Sequence, residues 1–334
     1  MPRPFRIAIA VLAGFWMSTA LPNLAHSAEK GALQLETKIP LGDVRGRIDH
    51  LAVDLKRQRL FVAELGNDSV GVVDLANGSV IRTLSGLSEP QGVGYEPSTD
   101  TLYVANARDG SVRLFDGSAY EPKGRIELGS DADNIRVDPA SGHVIIGHGD
   151  GALAVIDPST HSRVNNLPLK SHPESFQIDA SETRLFVNLP EVHAIVVLDG
   201  KSGKALATWK LNEAGNFAMA LDREKNRLLV AFRSPPKLAV FSIADGKPIA
   251  KIETCADVDD IFVDSKRDRV YLSCGAGFID VFETTDNGYG HAARIPTATG
   301  ARTSLFAPEL DRLLVAVRAS AAGPAAIWVF KPMP

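Results

Sequence analysis

The chain repeats itself about every 42 residues, and no other feature constrains its fold as much. An acid closes one apolar stretch in each of six copies (Asp54, Glu96, Asp138, Asp179, Asp222, Asp264) and Ala307 stands in the seventh place, at intervals of 42, 42, 41, 43, 42 and 43 residues. A turn and a second apolar stretch follow each, as in Arg59-Leu60-Phe61-Val62-Ala63 and Thr101-Leu102-Tyr103-Val104-Ala105, with later copies beginning at His143, Arg184, Arg227, Arg269 and Arg312. A third stretch runs to Asp74, Asp116, Asp157 and Asp199, then to Ser242, Glu283 and Phe330. Short β-rich runs separated by Gly, Asn, Asp and Pro are hairpins, and four strands in roughly 40–45 residues is the WD40-like blade period. A lone blade would expose both faces, so blades of this kind stack around an axis. The expected fold is all-β: a seven-bladed β-propeller with four-stranded antiparallel blades.

Six fourth strands are readable, at 80–84, 124–128, 163–167, 205–211, 248–253 and 292–296, but the seventh repeat stops at Pro334 after its third strand. Residues 35–42 (Leu-Glu-Thr-Lys-Ile-Pro-Leu-Gly) resemble Gly124-Arg125-Ile126-Glu127-Leu128-Gly129. A strand at about 33–41 is therefore expected to complete the last blade, closing the ring and removing an exposed edge.

Arg3 and Arg6 precede an apolar run at 7–21, and Asn23-Leu24-Ala25-His26-Ser27-Ala28 follows it. That is the three-part pattern of a secretory signal. The other reading, a membrane anchor, needs about 20 apolar residues. The expectation is a signal peptide over 1–28, one propeller domain over 29–334, a periplasmic or secreted location, and no later membrane span. Losing two arginines with the signal changes the net charge from −4 to −6. An acidic surface disfavours general nucleic-acid binding, although Lys56-Arg57 and Lys266-Arg267 are local basic pairs.

Leu102-Tyr103-Val104-Ala105-Asn106, followed by Gly110-Ser111-Val112 and Phe115-Asp116, resembles the YVTN-type β-propeller repeat, and Gly66-Asn67-Asp68-Ser69-Val70 leading to Val73-Asp74 matches the same template. The resemblance covers essentially everything after the signal and implies an exported bacterial propeller, without specifying a reaction. Ser234-Pro235-Pro236 and the segment 319–325 depart from the template and imply a locally specialised rim.

In a propeller the channel entrance gathers one loop per blade, and ligands bind there. Five positions before each strand-ending acid stand Asp49, Gln91, Asp133, Glu174, Phe217, Asp259 and Arg302; next come His50, Gly92, Asn134, Ser175, Ala218, Asp260 and Thr303. Converging carboxylates are costly unless a cation, a basic partner or protonation relieves them. One reading is an oxygen-rich site for a divalent cation such as Ca²⁺, held by Asp49, Asp133, Glu174 and Asp259. That site would resemble the metal-dependent lactonase propellers, with His50, His172 or Arg302 in catalytic roles. The other is a solvated acidic mouth partly neutralised by Arg47 and Arg302. Arg47, Gln91, Asn134, His148 and Asp260 complete the candidate ligand-binding set. His50, His172 and His148 could together bind a transition metal or act as bases, but each also reads as a hydrogen-bonded turn residue.

Cys255 precedes the innermost strand of the sixth repeat and Cys274 ends its neighbour, so an exported protein is expected to join them in a disulfide, with a reactive thiol pair as the alternative. The recurring acids, present in nearly every blade, read as turn caps. Two functions stay open: a monomeric scaffold binding a small molecule or protein at its rim, and a metal-dependent hydrolase or lyase of lactonase type.

Overall fold

Each repeat forms one four-stranded antiparallel sheet in the computed structural model, which describes Met1, 31–181, 183–285 and 288–334. Apart from Met1, the segment read as a signal peptide lies outside these residues. The first blade runs Leu51–Asp54, Arg59–Glu64, Ser69–Asp74 and Ser79–Ser85 from the axis outward. Its second and third strands are almost wholly buried while its fourth is largely exposed. Middle strands covered on both faces have to be continuous apolar runs. Phe61, Ala63, Val70 and Val72 accordingly pack against Val93, Leu102 and Val104 of the second blade. Comparable clusters recur around the ring. The result is a seven-bladed all-β propeller, and among the described residues no helix is long and apolar enough to cross a membrane.

The ring closes as the residue pattern predicts. Leu33–Pro40 pairs antiparallel with Ala326–Pro332, from Leu33 opposite Pro332 to Pro40 opposite Ala326, and completes the sheet begun by Ser304–Ala307 and Arg312–Val317. Ile39 and Leu41 enter the core beside Ile48, Leu314 and Ile327.

The recurring acids cap turns. Asp54 accepts from the Lys56 and Arg57 amides at 3.0 and 3.2 Å, and Glu96 from the Ser98 and Thr99 amides, both at 2.8 Å. The basic pairs beside them serve the same end of the propeller. Arg57 donates to Asp54 at 2.7 Å and crosses to Asp100 of the second blade at 2.9 and 2.6 Å. Arg267 likewise joins Asp264 to Asp311 of the seventh. These guanidiniums are inter-blade ties rather than a free basic surface.

One blade departs from the expected lengths. The outer hairpin of the sixth, Phe278–Thr285 and Gly288–Pro296, is extended beyond 292–296, and Tyr289 near its tip donates to Asp222 of the fifth. Cys255 and Cys274 form the disulfide, with Cα atoms 5.9 Å apart.

Candidate functional site

All seven ring residues line one cavity of about 210 Å³ at the axis: Asp49, Gln91, Asp133, Glu174, Phe217, Asp259 and Arg302. The backbone explains why their successors join them. In a regular strand consecutive side chains point to opposite faces. Here the amide of Asp49 donates to the carbonyl of Ala63 (2.7 Å) while the Ala63 amide donates to the carbonyl of His50 (3.1 Å), so two residues oppose one. That is a β-bulge, which re-aims side chains. Asp133 and Asn134 oppose Gly147 in the same manner, and Glu174 and Ser175 oppose Asn188. Registers shift at Phe217 and Asp259 in the fifth and sixth blades. His50, Asn134, Ser175 and Asp260 thus reach the cavity beside their predecessors. Gly92 at the same position in the second blade cannot carry a side chain: a Cβ there would lie 1.9 Å from the carbonyl oxygen of Asp133.

His50 is the centre of the floor. Its Nε2 lies 3.8 Å from both Asp49 Oδ1 and Asp133 Oδ1. Burial pulls the imidazole pKa down, but Asp49, Asp260 and Asp133 outweigh it and the pKa is raised. The carboxylates feel the same burial with opposite sign. It pushes Asp133 and Asp260 up to about 6 against the opposing pull of His50, and Glu174 up to about 7 with help from Asp133. The Asp260 carboxylate accepts from the Ser304 amide at 2.7 Å. Asp133, only 6% exposed, makes no side-chain hydrogen bond among the described residues, and its Oδ1 and the Oδ1 of Asn134 are buried acceptors without a donor.

The rim is cationic. Arg47 Nη2 lies 2.6 Å from Asp49 Oδ2. Arg302 Nη1 donates to both oxygens of Asp257 at 2.9 and 3.0 Å while its Nε sits 3.0 Å from Asp259. Arg233 grips Asp259 from the other side, donates to the Val258 carbonyl at 3.1 Å and lies 3.7 Å over the Phe217 ring. Sequence reasoning missed Arg233, Asp131 and Asp257. A signal for one of them exists: Arg233 falls six residues after the second-strand start, where five other repeats have Leu65, Ala107, Gly149, Pro190 and Gly275. The mouth is therefore a charge-alternating network, with Arg233 added to the Arg47 and Arg302 that the sequence pattern already sets against its acids.

Among the described residues no group of three or more His, Cys, Asp or Glu side chains is placed to hold one ion. Of the carboxylates assigned to Ca²⁺, Asp49 and Asp259 are occupied by guanidiniums. A hard cation wants oxygen ligands throughout, and three arginines around the rim oppose it, so the donor set does not fit a resident cation.

His172 lines the cavity with its Nδ1 2.7 Å from the Gly149 carbonyl and 3.5 Å from Asp131. His148 does not join the site. It is buried at the end of its strand with Nε2 2.9 Å from Asn166 Oδ1 on the outer strand, and burial lowers its pKa. The three imidazoles do not form one cluster. Below the mouth a second cavity of about 370 Å³ continues down the axis, lined by Val93, Ile135, Arg136, Met219 and Ile261 among others. His50, Ser175, Asp259 and Asp260 border both spaces.

No family model matches the sequence, and no curated protein matches it. Solved structures do: a chain in the "Crystal Structure of Mitotic Checkpoint Complex" matches with a TM-score of 0.75 and 14% identity, over 96% of this chain and 98% of that one. With 1766 solved chains matching, the likeness establishes a propeller fold shared far too widely to assign a role.

Proposed function

We propose that the protein is an exported propeller of the YVTN type that binds a small polar ligand in the mouth of its channel. Export is supported by the N-terminal residue pattern and by the disulfide, since such bridges persist in oxidising compartments. One observation carries the binding reading: seven blades converge on a cavity whose buried acceptors, Asp133 Oδ1 and Asn134 Oδ1, have no donor. Leaving such groups unpaired costs about 1–3 kcal/mol each, which a ligand bearing N–H or O–H groups recovers. A volume of about 210 Å³ corresponds to roughly seven waters. That suits a metabolite rather than a peptide.

The test is thermal denaturation with a panel of small amines, polyols and amino acids, followed by calorimetry on any that stabilise. A ligand at one hundred times its Kd adds about 2.7 kcal/mol. Asp133→Asn, which keeps the shape and removes the charge, should weaken that ligand. If the whole panel leaves the wild-type transition unmoved, the mouth is not a small-molecule site.

A further inference from the structure

Blades three and four bring three acceptor groups to the mouth that no donor of the chain satisfies. Asp133 and Asn134 are consecutive on one bulge, 6% and 2% exposed, and the Oδ1 of each is buried without a donor. Glu174 lines the same cavity from the fourth blade, and its carboxyl makes no hydrogen bond or ion pair among the described residues. The cations of the mouth are engaged elsewhere. Arg47 pairs with Asp49, Arg302 with Asp257 and Asp259, and Arg233 with Asp259. His50 is shared: its Nε2 stands 3.8 Å from Asp133 Oδ1 and equally far from Asp49 Oδ1, beyond hydrogen-bond reach of either. His172 Nδ1 meets the Gly149 carbonyl at 2.7 Å, with Asp131 3.5 Å away. Arg136 and Arg233 reach Asp133 and Glu174 only as more distant charges. Carboxylates held in this way are costly unless a cation with hydrogens to donate joins them.

Resting on the binding reading above, we infer that the ligand is a small primary amine, bound as the ammonium with its N–H groups directed to Asp133, Asn134 and Glu174. A primary ammonium carries three donors and no acceptor, one donor for each group. A hard divalent cation takes six to eight oxygens, more than these three residues supply. A hydroxyl brings a single donor and no charge, so it leaves the carboxylates uncompensated, and hydrogen bonds to an ionised partner are roughly twice as strong as neutral ones. A cavity of about 210 Å³ limits the rest of the amine to a few heavy atoms.

Proton exchange supplies a second signature. Burial and Asp133 push Glu174 up to about 7, with Asp259 adding to the rise and His172 and Arg233 opposing it. Asp133 stands at about 6, raised by burial, Asp49 and Asp131 and lowered by His50 and His172. An ammonium arriving beside them favours the ionised carboxylates and so displaces the protons they hold below neutral pH.

The experiment is titration calorimetry with methylamine, propylamine and ethanolamine, compared with propanol as a donor without charge and tetramethylammonium as a charge without donors. One amine should bind roughly tenfold or more tighter than both controls, the ratio expected when a buried charge or its hydrogen bonds are left unmade. Its affinity should rise about tenfold or more from roughly pH 5.5 to pH 8, with the proton release read from the dependence of the heat on the buffer's ionisation enthalpy. Asp133→Asn and Glu174→Gln should each weaken it about tenfold or more while melting no lower than the wild type at the upper pH. An alcohol or quaternary ammonium that matches the amine, an affinity independent of pH in the wild type, or folded variants that bind the amine unchanged overturns the inference and leaves small-ligand binding standing. If none of these amines binds but another member of the broader panel does, the inference alone falls. If nothing in either set binds, both fall.

Discussion

Replacing Ile39 by alanine tests whether the ring is sealed by its N-terminal strand. Ile39 is 1% exposed and packs among Leu314, Ala316, Ile327 and Val329, whereas Leu35 on the same strand is 39% exposed. Truncating a buried isoleucine costs about 2–5 kcal/mol through lost transfer energy and the cavity left behind. The same truncation at the exposed site should stay within about 0.5 kcal/mol. Deleting residues 31–41 removes Leu33, Ile39 and Leu41 from the core together. At about 1.5–3 kcal/mol each, that loss rivals the roughly 5–15 kcal/mol that holds a typical protein folded. Urea denaturation followed by tryptophan fluorescence is a suitable assay, because Trp328 lies on the paired strand with Lys38 Nζ 3.7 Å over its ring. The midpoint should fall for Ile39→Ala with an unchanged slope, stay put for Leu35→Ala, and vanish for the deletion. Equal midpoints for the two alanine variants, or a deletion protein that unfolds like the full chain, would refute the closure.

The mouth should also set a pH dependence. Burial raises Glu174 from 4.5 to about 7, so the folded state holds a proton that the unfolded state releases, and this group's contribution to stability declines as pH rises between those values. Glu174→Gln should flatten the stability profile over that window by on the order of 2 kcal/mol; an unaltered profile would show that the carboxyl is solvated. Reducing the Cys255–Cys274 bridge, or replacing both cysteines by serine, opens a loop with a sequence separation of 19 and should cost roughly 3 kcal/mol. Thiol reagents should find no reactive cysteine in the unreduced native protein, and two labelled thiols would contradict the bridge.

Almost all of the fold was legible because a propeller blade is a local object. Every blade needs two continuous apolar strands in its middle and an exposed outer strand, and six of the seven add a turn acid, so the pattern is written again about every 42 residues. Even the closing strand could be found, since residues 35–42 carry the outer-strand pattern where no blade precedes them. Tyr289 shows where locality ends. Its hydroxyl bonds Asp222 in the adjacent blade, an interaction that no period in the sequence encodes, and the long sixth hairpin was accordingly expected to be short.

The ring was legible in position and its charge balance only in part, for the same geometric reason. Counting back from the turn acids finds the ring, because each innermost strand has nearly constant length. Counting cannot find the bulges, which depend on which two consecutive residues share one partner across the strand pair, as the Asp49 amide and the His50 carbonyl share Ala63. Nor does counting along the first strand reach Arg233, which enters from the end of the second strand in the fifth blade. It adjoins the sixth blade, whose Asp257 and Asp259 are the carboxylates that Arg302 ties down, with Arg233 gripping Asp259 as well. The disulfide anchors the same loop at Cys255, two residues before Asp257. One side of the mouth is thus rigid and internally neutralised. On the opposite side Asp133, Asn134 and Glu174 make no ion pair or hydrogen bond with an arginine among the described residues, and Arg136 and Arg233 reach Asp133 and Glu174 only as more distant charges. A binding site needs that asymmetry: a fixed wall against which a ligand is registered, and facing it polar groups that only the ligand can complete.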